Sequence, residues 1–212
     1  MIYTIGLIDD NEEQLSDIRA AIKTNKTRDI EINFKSYLIP QDSENAINVL
    51  LNEIIEDVKE GKVHSLIIDY KIVVLEKIIK GSELLNLVKK HLSNFPVIIL
   101  TEIPEESKKP NFIDSDKVYI KRDFLKVKED YSKEKVNNII DSIEKYVSQK
   151  DSLLVKLIEN QNSINSSSDK ISKIQEIIEI ENQLSSFIPM NITQADKSID
   201  KMKIANLIEL II

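Results

Sequence analysis

Ser65-Leu66-Ile67-Ile68-Asp69 is an apolar run closed by an aspartate, and three other apolar runs of the chain likewise end in a polar residue. They are Ile5-Gly6-Leu7-Ile8 before Asp9-Asp10, Val97-Ile98-Ile99-Leu100 before Thr101, and Val118-Tyr119-Ile120 before Lys121. Continuous apolar runs of this length suit parallel strands buried on both faces. In such sheets ligands bind in the crevice outside the carboxyl ends of the strands. Neighbouring parallel strands would therefore bring three carboxylates, a hydroxyl and an ammonium to one rim. That set suits a divalent cation and a phosphoryl group. A hard cation such as Mg²⁺ takes oxygen ligands and keeps several waters. Phosphoryl transfer depends chiefly on positioning and charge neutralisation.

The order acidic pair, aspartate, threonine, lysine resembles the receiver domain of two-component response regulators, over roughly the first 130 residues. The resemblance implies an α/β fold: a doubly wound, five-stranded parallel sheet, flavodoxin- or receiver-like, followed here by an α-helical extension. It also implies that Asp69 accepts a phosphoryl group. Asp9, Asp10, Asp69 and the backbone carbonyl of Lys71 would hold Mg²⁺. Thr101 would donate its hydroxyl to the phosphoryl group, and Lys121 would neutralise its charge. Each residue also has a plainer reading. Asp9 and Asp10 could simply begin a helix whose apolar stripe is Leu15, Ile18 and Ile22. Thr101 could end a strand, and Lys121 could be a solvated surface charge.

Several positions depart from the receiver pattern. Glu102 follows Thr101 where the family usually has a small residue, so a carboxylate would stand at the mouth of the site. Arg122 follows Lys121 where the family has proline. Val118 stands where an aromatic switch residue is expected, and alternation along a strand points the adjacent Tyr119 to the other face. The stretch from Glu102 to Asn111 holds two prolines and little apolar period, which leaves room for a short helix at best. Tyr70 to Lys80 is longer than the compact loop expected after the aspartate, and its Ile72 to Leu75 run calls for a packing partner. Between Asp10 and Asp69 lies a helix from about Ser43 to Lys59, with Ile47, Leu50, Leu51, Ile54 and Val58 on one face. A helix over Ser82 to Leu92 carries His91.

Composition bounds the rest. The chain has 212 residues, enough for one domain with an extension or two small ones. It has no cysteine, which excludes disulfides and thiolate metal sites and fits a reducing compartment. The first residues lack a basic stretch ahead of an apolar one, unlike a signal peptide, and no apolar run approaches the roughly 20 residues of a spanning helix. The expected location is the cytoplasm, without a membrane partner. Abundant isoleucine, lysine and asparagine beside scarce glycine and proline is a bias of AT-rich bacterial genomes. A net charge of −7, with basic residues interleaved among acidic ones, argues against nucleic acid as a partner. His64 and His91 are the only histidines, three glycines make no phosphate loop, and no residue stands out to activate water. A phosphohydrolase is therefore disfavoured, and catalysis beyond self-phosphorylation is not expected.

Beyond residue 130 the pattern changes. From Val136, the positions Ile140, Ile143, Val147, Lys150, Leu154, Leu157, Gln161 and Ile164 recur at alternating steps of four and three. This heptad seam fits a coiled coil, and equally a helix packed in a local bundle. The division expected is a receiver-like domain over 1–130, a long helix over 131–165, and a helical C-terminal region over 166–212. Asn160 to Ser168 reads as a polar break. A second helix would start near Asp169, with Ile171, Ile174, Ile178 and Leu184 on one stripe, and Pro189 would end it. Thr193 and Asp196 resemble a capping box opening a third. The apolar end Leu210-Ile211-Ile212 would be buried, or would belong to a longer chain. Functionally, the sequence points to a signalling protein phosphorylated on Asp69 that relays the change through its helical tail to a protein partner, a kinase or effector, or to a second copy. The alternative is a pseudo-receiver that keeps the fold as an interaction adaptor without cycling a phosphate.

Overall fold

Two strands whose every residue is buried, β3 (Ser65–Asp69) and β6 (Val97–Thr101), form the middle of the sheet. The structure is a computed structural model and describes residues 1–39, 45–74, 77–103, 115–164 and 170–188. β1 (Ile2–Ile8) pairs with β3 on one side and with β2 (Glu31–Tyr37) on the other, and β7 (Val118–Ile120) pairs with β6. All four pairings are parallel, and the sheet order is β2-β1-β3-β6-β7. Counting only these five strands, the order is 2-1-3-4-5, that of the flavodoxin-like doubly wound fold. The expected fold class is present.

Helices cover both faces, which is why the central strands read as unbroken apolar runs. On one face α2 (Ala46–Lys59) and α3 (Gly81–His91) bury Leu50, Ile54, Leu84 and Val88 against Leu66, Ile68 and Ile99. On the other, α1 (Glu12–Asn25) and α5 (Asp130–Ser163) bury Leu15, Ile18, Ile140 and Ile143 against Ile5, Leu7, Ile67 and Ile98. The long segment after Asp69 is a hairpin of antiparallel strands, β4 (Lys71–Val74) and β5 (Lys77–Lys80), outside the main sheet. Its Ile72 is fully buried in the same core as Tyr70 and Leu84. A short helix, α4 (Lys121–Phe124), begins directly at the end of β7. Tyr119 is buried and stacks on Phe124 at 6.2 Å between ring centroids.

After Tyr146 no residue of α5 is buried; Val147 and Leu153 still pack partly buried against the core, and the rest of the helix runs beyond it. It packs there on α6 (Lys170–Leu184). The polar stretch expected to break the helix at Asn160 instead continues α5 through Ser163. Exposed polar side chains cost a helix little, and Lys173 of α6 donates to Asn160 Oδ1 at 2.8 Å. The end of α6 returns to the sheet. Asn94, in the loop before β6, donates its backbone N–H to the Ser186 carbonyl at 3.0 Å. The Tyr146 hydroxyl donates to the Phe187 carbonyl at 2.8 Å, and the buried Phe187 ring lies 5.6 Å from that of Tyr146. Phe187→Ala should cost about 3 kcal/mol in urea denaturation, because a buried ring is removed from a packed cluster. Proteolysis should then cut within α6 before the sheet domain. Unchanged stability and cleavage would show that the ring is not an anchor. Pro189, the Thr193–Asp196 box, the proposed third helix and most of the Glu102–Asn111 stretch lie outside the described residues.

Candidate functional site

The carboxyl ends of β1, β3, β6 and β7 converge on one rim, and a buried ammonium stands at its centre. Lys121 begins α4, and its side chain turns inward until only 4% of the residue is exposed. Its Nζ donates to Asp9 Oδ2 at 2.7 Å and to Asp69 Oδ1 at 2.6 Å. Asp9 is 3% exposed and Asp69 8%. The other oxygen of each carboxylate accepts a backbone N–H: Asn11 N to Asp9 Oδ1 and Lys71 N to Asp69 Oδ2, both at 2.9 Å. Asn11 in turn caps α1, its side-chain oxygen accepting from the N–H of Glu13 at 2.9 Å. The cap that starts α1 thus also orients Asp9.

Two buried anions share one cation, and the titration directions follow. Burial raises the Asp69 carboxyl above the usual range, and the Asp9 charge adds to this, while the contact with Lys121 opposes both. Burial works to lower Lys121, but its hydrogen bonds to Asp69 and then Asp9 outweigh it and hold the ammonium above the ordinary lysine value. Lys121 is thereby held in its charged form, and its ammonium offsets only part of what burial and Asp9 do to the Asp69 carboxyl.

The cluster opens to solvent through a cleft of about 240 Å³ lined by Asp69, Lys121, Thr101, Gln14, Lys71 and Glu102, among others. Thr101 is buried, and its hydroxyl oxygen accepts the Ile103 N–H at 3.0 Å. A hydroxyl that accepts still has its own hydrogen to donate. Glu102 is exposed at the mouth. Asp10 is next to the cluster but exposed, and its Oδ2 accepts the Val73 N–H of β4 at 2.9 Å. The sequence-derived set is therefore divided. Asp9, Asp69 and Lys121 touch, and Thr101 and Lys71 border the same cleft. Asp10 is engaged by the hairpin. The carboxylate oxygens and adjacent cleft offer the donor chemistry that a hard divalent cation takes. In the present arrangement no group of three His, Cys, Asp or Glu side chains among the described residues is gathered as a metal centre.

Three contributors are not apparent from the motif. Gln14 lines the cleft from α1. The Val73 N–H belongs to a strand whose role the apolar run Ile72 to Leu75 only hinted at. Gly81, first residue of α3, lies so close to β3 that a Cβ there would sit 2.3 Å from the Asp69 carbonyl oxygen. Its N–H donates to the Tyr70 carbonyl at 2.8 Å, which pins the chain just after the aspartate.

The doubly wound sheet thus holds an acid cluster and a buried lysine at the carboxyl ends of its strands, where ligands bind in such folds. No family model matches the sequence, and no curated protein matches it. Among solved structures, the chain is similar to a response regulator receiver domain from Rhodospirillum rubrum at 23% identity, covering 68% of this chain and 94% of that one with a TM-score of 0.37. It is also similar to the RcsB response regulator of Salmonella typhimurium, at 14% identity over 90% of this chain and 94% of that one, TM-score 0.40. A second structure of RcsB gives 15% identity and a TM-score of 0.38, over 90% and 96% of the two chains. Among the described residues, no helix is long and apolar enough to cross a membrane.

Proposed function

We propose that this protein is a signalling module whose switch is the Asp69 carboxylate, phosphorylated from a small phosphodonor or a partner kinase. The observation that carries the reading is the Lys121 ammonium held between Asp9 and Asp69, beside Thr101 and a cleft that opens onto Asp69. An Asp69 oxygen would attack phosphorus, the bond from phosphorus to the donor's leaving group would break, and an acyl phosphate would form on Asp69. Lys121 supplies fixed positive charge at that point, and Thr101 a hydroxyl to a phosphoryl oxygen. Asp9, Asp10, Asp69 and the Lys71 carbonyl would hold Mg²⁺, which when bound offsets charge on the transferring group. The output would pass through α5, which seals one face of the sheet and then continues into the helical tail, to a protein partner or a second copy.

The test is intact mass after incubation with acetyl phosphate and Mg²⁺. One phosphoryl group should be added, and none in Asp69→Asn or without metal. That variant should be no less stable than wild type at pH 7, within about 1 kcal/mol. The sign follows from the raised Asp69 carboxyl. Between the unfolded value and the higher folded one the folded state holds more protons, so ionising Asp69 lowers stability as pH rises through that window. An uncharged amide removes this cost. No adduct in wild type would favour the pseudo-receiver alternative, which Glu102 at the mouth and the hairpin hold on Asp10 support.

A further inference from the structure

Successive backbone amides of a strand point to opposite edges. In β4 the Lys71 and Val73 N–H groups share the edge facing the site, where they donate to Asp69 Oδ2 and Asp10 Oδ2. The strand is fixed in place by Ile72, which is fully buried, while the Val73 side chain stands at the surface, 46% exposed. Val73 thus contributes little to packing and a great deal to one carboxylate. Asp9 and Asp69 each accept from Lys121, whereas Asp10 is exposed and accepts from the Val73 amide.

We infer that the Val73 backbone N–H is a latch that competes with a divalent cation for the Asp10 carboxylate, so that cation affinity is set by the inserted hairpin. This rests on the reading of Asp9, Asp10 and Asp69 as cation ligands. A hydrogen bond to a charged acceptor is stronger than one between neutral groups. Breaking it to free Asp10 therefore lowers cation affinity by at least about tenfold. Binding of the cation, in turn, releases the Asp10 end of β4. The hairpin then reports the cation state of the site on the outer surface.

The experiment is a Mg²⁺ titration of the ¹⁵N-labelled full chain, against NaCl of equal ionic strength, following the amides of Asn11, Lys71 and Val73. The first two donate to Asp9 and Asp69 and report cation binding; the third reports the latch. The expected result is that the Asn11 and Val73 resonances titrate with one Kd, and that Val73 exchanges with water at least tenfold faster at saturation. Val73→Pro, which removes the N–H, should bind Mg²⁺ at least tenfold more tightly. Binding detectable only in Val73→Pro would support the latch equally. Asn11 and Lys71 titrating while Val73 exchange stays unchanged would overturn the latch and leave the cation reading intact. Silence in both proteins would overturn the cation reading and the latch with it. If Val73→Pro fails to fold, the wild-type amide readings decide alone.

Discussion

Lys121→Met is expected to lose about 3–5 kcal/mol of folding stability at pH 7, the range for removing one partner of a buried ion pair. Its ammonium compensates two buried carboxylates at 2.6 and 2.7 Å. Methionine fills a similar volume, so the effect isolates the charge. Without Lys121, burial and the neighbouring Asp9 charge still raise the Asp69 carboxyl, and no ammonium opposes them. The folded protein then binds more protons than the unfolded chain, and stability rises as pH falls through the raised Asp69 value. Urea denaturation at pH 7 and pH 5 should show the variant's deficit shrinking at the lower pH. Adding Asp69→Asn to Lys121→Met should restore part of the loss, a coupling readable in a double-mutant cycle. A pH-independent deficit below about 1 kcal/mol would mean the carboxylates are solvated and the buried cluster is not as described.

Gly81→Ala should be almost as damaging, for a steric reason. The added methyl would meet the Asp69 carbonyl oxygen at 2.3 Å and the Ile68 side chain at 3.1 Å. The first is backbone in a strand buried at every position, so it cannot swing aside. Overpacking of this kind costs about 1–3 kcal/mol or more. The displaced atom belongs to the residue that would accept the phosphoryl group. A misplacement near 1 Å can cost about a hundredfold in rate. Stopped time courses of phosphorylation by acetyl phosphate should therefore fall far more than the fraction of folded protein does. Equal losses in both would show that Gly81 serves packing alone.

The sequence shows clearly what is buried on both sides. β1, β3 and β6 stand out because their side chains on both faces meet helices, leaving unbroken apolar runs, and the short edge strand β7 stands out as a run of three. β2 does not, because Glu31, Asn33 and Lys35 alternate with Ile32 and Phe34 on an edge strand, a pattern weaker than its neighbours'. The hairpin after Asp69 showed only as an apolar run in need of a partner, and that partner for Ile72 is the core beneath α3. The polar stretch at Asn160 misled because local composition favours a turn, whereas packing on α6 keeps the helix going to Ser163. The site divides the same way. Side chains with chemistry, Asp9, Asp69 and Lys121, were legible and meet at bonding distance. The backbone amide of Val73 and the missing side chain of Gly81 were not, because neither carries a chemical letter in the sequence.

The 34 residues of α5 span about 51 Å at 1.5 Å per residue. Its first half is clamped to the sheet and its last 17 residues, from Val147 to Ser163, reach roughly 26 Å past Tyr146, the last buried position. It is a lever with its fulcrum in the core. A tilt of about 10° at the sheet would carry the far tip some 4 to 5 Å, by the geometry of a rigid helix, while the end of α6 stays pinned beside Tyr146 through Phe187. A change too small to see among the packed side chains of the sheet would arrive at the tail as a displacement about as large as the spacing between neighbouring strands.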